Sequence, residues 1–334
     1  MSFYGGIVRI PLTIFAFLLS ACTDDPHPVA QKSKSDSLSW GILIPQDMSI
    51  ARAGEVPWNP MTIQSGQDSI LASARRGYAL FMNTPEQAPS LAGNSMSCNN
   101  CHPNGGQREK ALPLVGISSV FPEYNKRSGR PFALEERIIG CLLRSINATG
   151  NRNHGTITRH ENDLQGASLD VKTPEVRDLA SYITWISSRQ KLAKDLPWRG
   201  RNTLPSSVLI PIKNLNPKLG ESLYAEWCSG CHGLDGQGIM VSGRRPGPLW
   251  GPNSWNDGAG AARTYTLAGM IRQWMPYMNP GRLSDEQAQH ISAYITSKPR
   301  PTFPYKSKDY VKEKIPVDAV YYSQLYARNP LMTK

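Results

Sequence analysis

Two stretches of the chain carry the same arrangement of small and apolar positions. Gly77-Tyr78-Ala79-Leu80-Phe81 and Gly220-Glu221-Ser222-Leu223-Tyr224 each place a glycine four residues ahead of an aromatic, within a helical period. The second stretch opens with Asn216 as N-cap and Pro217 at the first helical position. Farther on, Ser181-Tyr182-Ile183-Thr184 and Ala293-Tyr294-Ile295-Thr296 close each frame, and the latter helix begins with the capping-box pattern Ser284-Asp285-Glu286-Gln287. A glycine face lets an aromatic-bearing helix cross closely, so each frame predicts a pair of crossed helices and the chain reads as one unit used twice. Between the frames, Leu134 to Asn147 predicts a helix with Leu134, Ile138, Cys141, Leu142 and Ser145 on one face. With 28 Gly and 27 Pro, the rest suits short helices and long loops better than a continuous sheet, giving a mainly α fold.

The 334 residues suffice for two small domains with separate cores. Residues 1–22 read as an export signal. Arg9 supplies the positive region, Ile10 to Leu19 a short apolar run, and Leu19-Ser20-Ala21-Cys22 resembles a bacterial lipobox in which Cys22 takes lipid. The expectation is a periplasmic protein held to the membrane through Cys22, since two acyl chains anchor where one is marginal. Residues 23–66 read as tether and irregular segment, 67–195 as the first domain, 196–213 as a Pro-rich linker or strap, 214–300 as the second domain and 301–334 as a surface tail. A formal charge of +11 favours anionic partners. No basic run interleaved with aromatics is present, so nucleic acid is not among them.

Cysteine spacing changes the picture most. Cys98-Asn99-Asn100-Cys101-His102 and Cys228-Ser229-Gly230-Cys231-His232 are both C-x-x-C-H, the pattern of c-type haem attachment. The thiols add across the haem vinyl groups, and His102 or His232 then reaches iron from one face. A zinc site joining the two C-x-x-C units, or disulfides, would leave the histidines and the repeat unexplained. The expectation is two covalently bound haem c groups in two tandem class I cytochrome c-like domains.

Each iron needs a ligand opposite its histidine. In the second repeat Trp274-Met275-Pro276 precedes the capped last helix, and a Met-Pro loop there points to Met275, with Met270 and Met278 as competitors. The first repeat has no matching Met. It has Cys141, with Arg137 four residues before and Arg144 three after, close enough to share a neighbourhood. Two guanidinium groups would favour a thiolate and could hold a dianion; a buried structural cysteine between solvated arginines is the other reading.

The stretch from Cys98 through Leu112-Pro113-Leu114-Val115-Gly116, Phe121-Pro122-Glu123-Tyr124, Arg127-Ser128-Gly129-Arg130 and Glu136-Arg137-Ile138 to Cys141-Leu142-Leu143-Arg144-Ser145 resembles the di-haem thiosulfate dehydrogenase family. Pro248-Leu249-Trp250-Gly251-Pro252, Asn256-Asp257-Gly258-Ala259-Gly260, Met275-Pro276 and Pro316-Val317-Asp318-Ala319 agree in order, so the resemblance covers roughly residues 70 to 320. It implies the joining of two thiosulfates to tetrathionate with release of two electrons, or the reverse. It also implies that His102 and Cys141 ligate a catalytic haem, that Arg144 and Ser145 lie beside the substrate, and that the haem of His232 and Met275 passes electrons to a cytochrome c or other high-potential carrier. Cys141 would leave iron and bond to a substrate sulfur. Thr149 to Val171 departs from the family as a long polar insert bearing Arg152, His154, Arg159 and His160; it reads as a surface loop or as a roof over the site. The competing functions are a plain di-haem electron carrier and the di-haem subunit of a thiosulfate-oxidising multi-enzyme complex.

Overall fold

The computed structural model describes residues 68–108, 111–148, 169–187, 196, 198–200, 202–240 and 245–322. Residues 1–67, with Cys22 among them, and residues 149–168 of the Thr149–Val171 insert lie outside the described residues. The fold is mostly helical. In chain order the elements are α1 (Asp68–Met82), the single-turn helices α2 (Thr84–Gln87), α3 (Cys98–Cys101) and α4 (Pro103–Gly106), β1 (Glu123–Asn125), β2 (Arg130–Phe132), α5 (Leu134–Arg144), α6 (Pro174–Ser187), α7 (Pro217–Trp227), α8 (Ser229–His232), α9 (Thr264–Trp274) and α10 (Asp285–Thr296).

Both glycine frames do what their spacing predicts. Helix α1 crosses α6, and α7 crosses α10. A Cβ on Gly77 would lie 1.9 Å from the Asp178 carbonyl oxygen and 2.8 Å from Tyr182 Cβ; one on Gly220 would lie 1.9 Å from the His290 oxygen and 3.0 Å from Tyr294 Cβ. Only glycine permits such contact. The crossing aromatics then cluster: Tyr182 against Tyr78 and Phe81, and Tyr294 against Tyr224 and Trp250. From each crossing a tyrosine reaches the loop behind a C-x-x-C-H motif, Tyr182 Oη donating to the Gly105 carbonyl at 2.8 Å and Tyr224 Oη to that of Gly233 at 2.6 Å. Asn216 caps α7 by accepting from Leu219 N–H, and Ser284 and Gln287 form the expected capping box on α10.

Among the described residues the main apolar cluster runs continuously from Phe81, Leu142 and Tyr182 to Tyr224, Ile291 and Phe303, in place of the separate cores expected for two domains, and a smaller cluster joins Tyr310, Ile315, Ala319 and Tyr322. The described part of the 196–213 stretch touches both frames: Leu196 and Trp198 lie against Gly116 and Arg199 pairs with Glu123, whereas a Cβ on Gly269 would sit 1.6 Å from the Asn202 carbonyl oxygen and Gln289 bonds both Ile210 N–H and the Val208 carbonyl.

Two features depart from the sequence reading. Strands β1 and β2 form an antiparallel hairpin with Tyr124 opposite Pro131, too short to leave an alternating pattern. The stretch from 301 to 322 is not a surface tail. Phe303, Tyr305, Tyr310, Ile315, Ala319 and Tyr322 are buried, as are Asp309 and Asp318. Lys312 and Lys314 are exposed, whereas Lys306 pairs with the buried Asp257 and the Lys308 amine is itself buried, so the stretch turns both aromatic rings and two ammonium groups inward.

Candidate haem and thiolate site

The first C-x-x-C-H is held by its own flanks. The Ser97 N–H donates to Asn100 Oδ1 at 2.7 Å, and Ser97 Oγ accepts from the Thr84 N–H at 3.1 Å. His102 closes α3, and its Nδ1–H donates to the Leu112 carbonyl at 2.7 Å. That bond fixes the tautomer and leaves Nε2 as the coordinating nitrogen. Leu112 itself sits in the left-handed region at φ 53°, a conformation that costs a non-glycine residue roughly 1–2 kcal/mol. Burial lowers the His102 pKa, with the Leu112 bond opposing and the nearby Arg137 charge adding to the effect. That shift favours the neutral ring, the form that binds iron.

Helix α5 brings Cys141 to this motif. Burial pushes the Cys98 and Cys101 thiols up to about 12, and in both the charge of Cys141 pushes further the same way, so three sulfurs share one neighbourhood. Leu134, Ile138 and Leu142 face the core, whereas Cys141 and Arg137, one turn apart, are exposed. The predicted single face thus divides into an apolar stripe and an adjoining Arg137–Cys141 edge. Ser145 caps α5, and its carbonyl accepts from Asn94 Nδ2 at 2.9 Å.

Arg144 is placed differently from Arg137. It is buried, its Nη2 and Nη1 donate to Asp309 Oδ1 and Oδ2 at 2.7 and 2.8 Å, and Nη1 also reaches the Gly258 carbonyl at 3.0 Å. Its guanidinium stacks 3.9 Å from the Phe303 ring centroid. Asn256 secures the end of the same helix, donating through Nδ2 to the Leu143 carbonyl at 2.9 Å and through its backbone N–H to that of Arg144 at 3.0 Å. The family-like Asn256-Asp257-Gly258 run hinted at Asn256. Asp309 carries no local sequence signal.

The second C-x-x-C-H spans α7 and α8. Burial pushes the Cys228 thiol up to about 12, with Cys231 adding to it, and lowers His232 to about 4 against the pull of the Gly247 backbone. Gly247 also touches the first motif: a Cβ there would sit 2.9 Å from Met96 Cε and 3.3 Å from Asn100 Nδ2. Met275 caps α9 and is partly buried against the core. Of its competitors, Met278 is 87% exposed and Met270 is buried within α9.

These residues fit c-type haem. Each motif offers two free thiols, half-buried at Cys98, Cys101 and Cys228 and exposed at Cys231, beside an imidazole whose pKa burial lowers, and His102 has its Nδ1 already engaged. Among the described residues no three His, Cys, Asp or Glu side chains converge as a directly bound metal ion requires. All five described cysteines are free thiols, so neither the zinc site nor a disulfide among them is built.

The cytochrome C oxidase, cbb3-type, subunit III family matches residues 216–295, around the second motif. A thiosulfate dehydrogenase of Psychrobacter arcticus is 35% identical over 86% of this chain and 84% of its own length. That of Allochromatium vinosum is 33% identical over 76% of this chain and 89% of its own. Among solved structures, the as-isolated form of the thiosulfate dehydrogenase TsdBA of Marichromatium purpuratum matches with a TM-score of 0.60 and 30% identity. The match covers 73% of this chain but 49% of that one, so the present chain spans about half of that protein. The cytochrome match and these relatives imply c-type haem. With the Cys141 edge facing the first C-x-x-C-H, they lead to one conclusion: the chain belongs to the thiosulfate dehydrogenase family of oxidoreductases.

Proposed function

We propose that this protein joins two thiosulfate ions to tetrathionate at the first motif and passes two electrons out through the second. The observation that carries the reading is that α5, which bears Cys141 and Arg137 on its exposed edge, packs through Ile138 and Leu142 into the core against which Cys98 and Cys101 lie. In it the chain holds two covalent haem c groups, in tandem class I cytochrome c-like domains spanning 67–195 and 214–300. His102 and Cys141 are the ligands at the first, His232 and Met275 at the second.

The reaction balances on the Cys141 sulfur. The thiolate bonds to the outer sulfur of one thiosulfate, giving a cysteinyl S–S–sulfonate and releasing two electrons. A second thiosulfate attacks that outer sulfur, tetrathionate leaves, and the thiolate is restored. Bound haem supplies the one-electron acceptors, one at each motif. Arg137, exposed beside Cys141, offsets the charge of the incoming dianions, and the Ser145 hydroxyl at the helix end is available to orient sulfonate oxygen. His102, aimed by its bond to the Leu112 carbonyl, would hold the haem iron through Nε2. Run backward, the same steps reduce tetrathionate. The partner is a cytochrome c or other high-potential carrier, and the setting is the periplasm, with anchorage through Cys22.

The test uses purified holoprotein with thiosulfate plus acceptor and with tetrathionate plus donor. Cys141→Ala should keep both haems and lose at least about a thousandfold in both directions. Undiminished turnover in the variant would leave an electron carrier in place of the enzyme.

A further inference from the structure

We propose that Asp309, on the strap formed by residues 301–322, is a positioning residue for Cys141, and that Arg144 serves this lock instead of touching substrate. The proposal rests on the reading of Cys141 as ligand and nucleophile.

The lock at the C-terminal end of α5 is an enclosed ion pair. The Asp309 side chain has no exposed surface and that of Arg144 is 8% exposed. The carboxylate takes both Arg144 Nη donors and also accepts from Tyr322 Oη at 2.5 Å. This two-pronged geometry suits a guanidinium and no other side chain. The pair neutralises itself, so Arg144 has little charge to offer a doubly charged sulfur anion. Removal of either partner would leave a buried charge uncompensated. Arg137, exposed on the Cys141 edge, carries the cation that the substrate can reach.

The same strap grips the entry to α5. The Tyr310 N–H donates to the Arg127 carbonyl at 2.7 Å, and Arg127 Nη1 shares the Gly258 carbonyl at 2.7 Å with Arg144. Gly129, at φ 64°, passes so near the Lys312 side chain that a Cβ would approach it to 2.9 Å. Residues 127 and 129 form the turn between β1 and β2, and only Ala133 separates β2 from α5. Helix α5 is thus tied to one strap before its first turn and after its last. A slip of one residue would swing Cys141 by about 100° around the helix axis. The two ties forbid that slip unless the buried pair opens.

The test compares full-length holoproteins by electron paramagnetic resonance of low-spin haem and by steady-state kinetics. The wild type should show a thiolate-ligated signal that Cys141→Ala abolishes. Asp309→Asn should lose part of that signal with the second haem's signal unchanged, and kcat should fall about tenfold or more with KM within about twofold. Arg144→Lys keeps the charge without the fork and should resemble Asp309→Asn. The lock is wrong if Asp309→Asn keeps the full thiolate signal and kcat, if its defect lies wholly in KM, or if Arg144→Lys behaves as wild type. Should Asp309→Asn yield no holoprotein, Tyr322→Phe decides: a partial loss of the thiolate signal supports the lock, and an unchanged spectrum and kcat overturn it. A wild type without any thiolate signal would sink the ligand reading instead, a different result from a wild-type signal that survives in Asp309→Asn.

Discussion

The two C-x-x-C-H motifs sit in nearly the same scaffold, yet their surroundings differ. Both rest on a glycine-crossed helix pair, and both receive a tyrosine hydroxyl on the loop behind the histidine. Around the first, the 11-residue helix α5 with its cysteine edge is fixed by contacts from Asn94, Asn256 and Asp309. Around the second, Met275 lies at a helix end that leads into the exposed Tyr277 and Met278, with Leu234 74% exposed just past His232. One centre is buttressed from several parts of the chain and the other opens outward. The repeat supplies a cradle, and the two motifs differ in what the chain lays opposite it.

The shared cradle is the easiest part of this comparison to break. Gly77→Ala and Gly220→Ala should each cost about 3 kcal/mol or more, because the new Cβ would meet a backbone oxygen that cannot step aside. Thermal unfolding of each variant would show it, and equal losses would establish that the two crossings are equivalent. The contrast between the motifs appears in the next effect. Arg137→Ala should reduce kcat/KM for thiosulfate about tenfold, since it removes the accessible cation beside Cys141 while the thiolate spectrum remains. A smaller change, confined to the second centre, is expected of Met275→Leu. Losing the thioether should lower that haem's potential and slow turnover severalfold, whereas Met278→Leu should leave a spectroelectrochemical titration unchanged.

Much of the cradle was legible in the sequence because it depends on short-range rules. Gly77 and Gly220, the Asn216–Pro217 cap and the Ser284–Gln287 box each act within a turn or two of helix, and the structure uses them as read. The two C-x-x-C-H motifs are legible for the same reason, each lying within five residues. The site was less so. That Cys141 and Arg137 would share an edge followed from helical spacing, but Arg144 looked equivalent to Arg137 until its partner was seen. Asp309 lies in a Pro-, Lys- and Tyr-rich stretch whose composition suggests surface, and nothing near it in sequence announces a buried carboxylate. The β1–β2 hairpin escaped notice because three-residue strands are too short for alternation to register.

The Arg144–Asp309 pair joins positions 165 residues apart. Contacts of such long range form late, because the entropy of closing the intervening chain must be met first. The cysteines of both motifs precede Asp309 in the order of synthesis, so both C-x-x-C-H segments exist before α5 can gain its final brace. A chain ending short of residue 309 would carry both motifs and Cys141 yet lack the carboxylate that clasps Arg144.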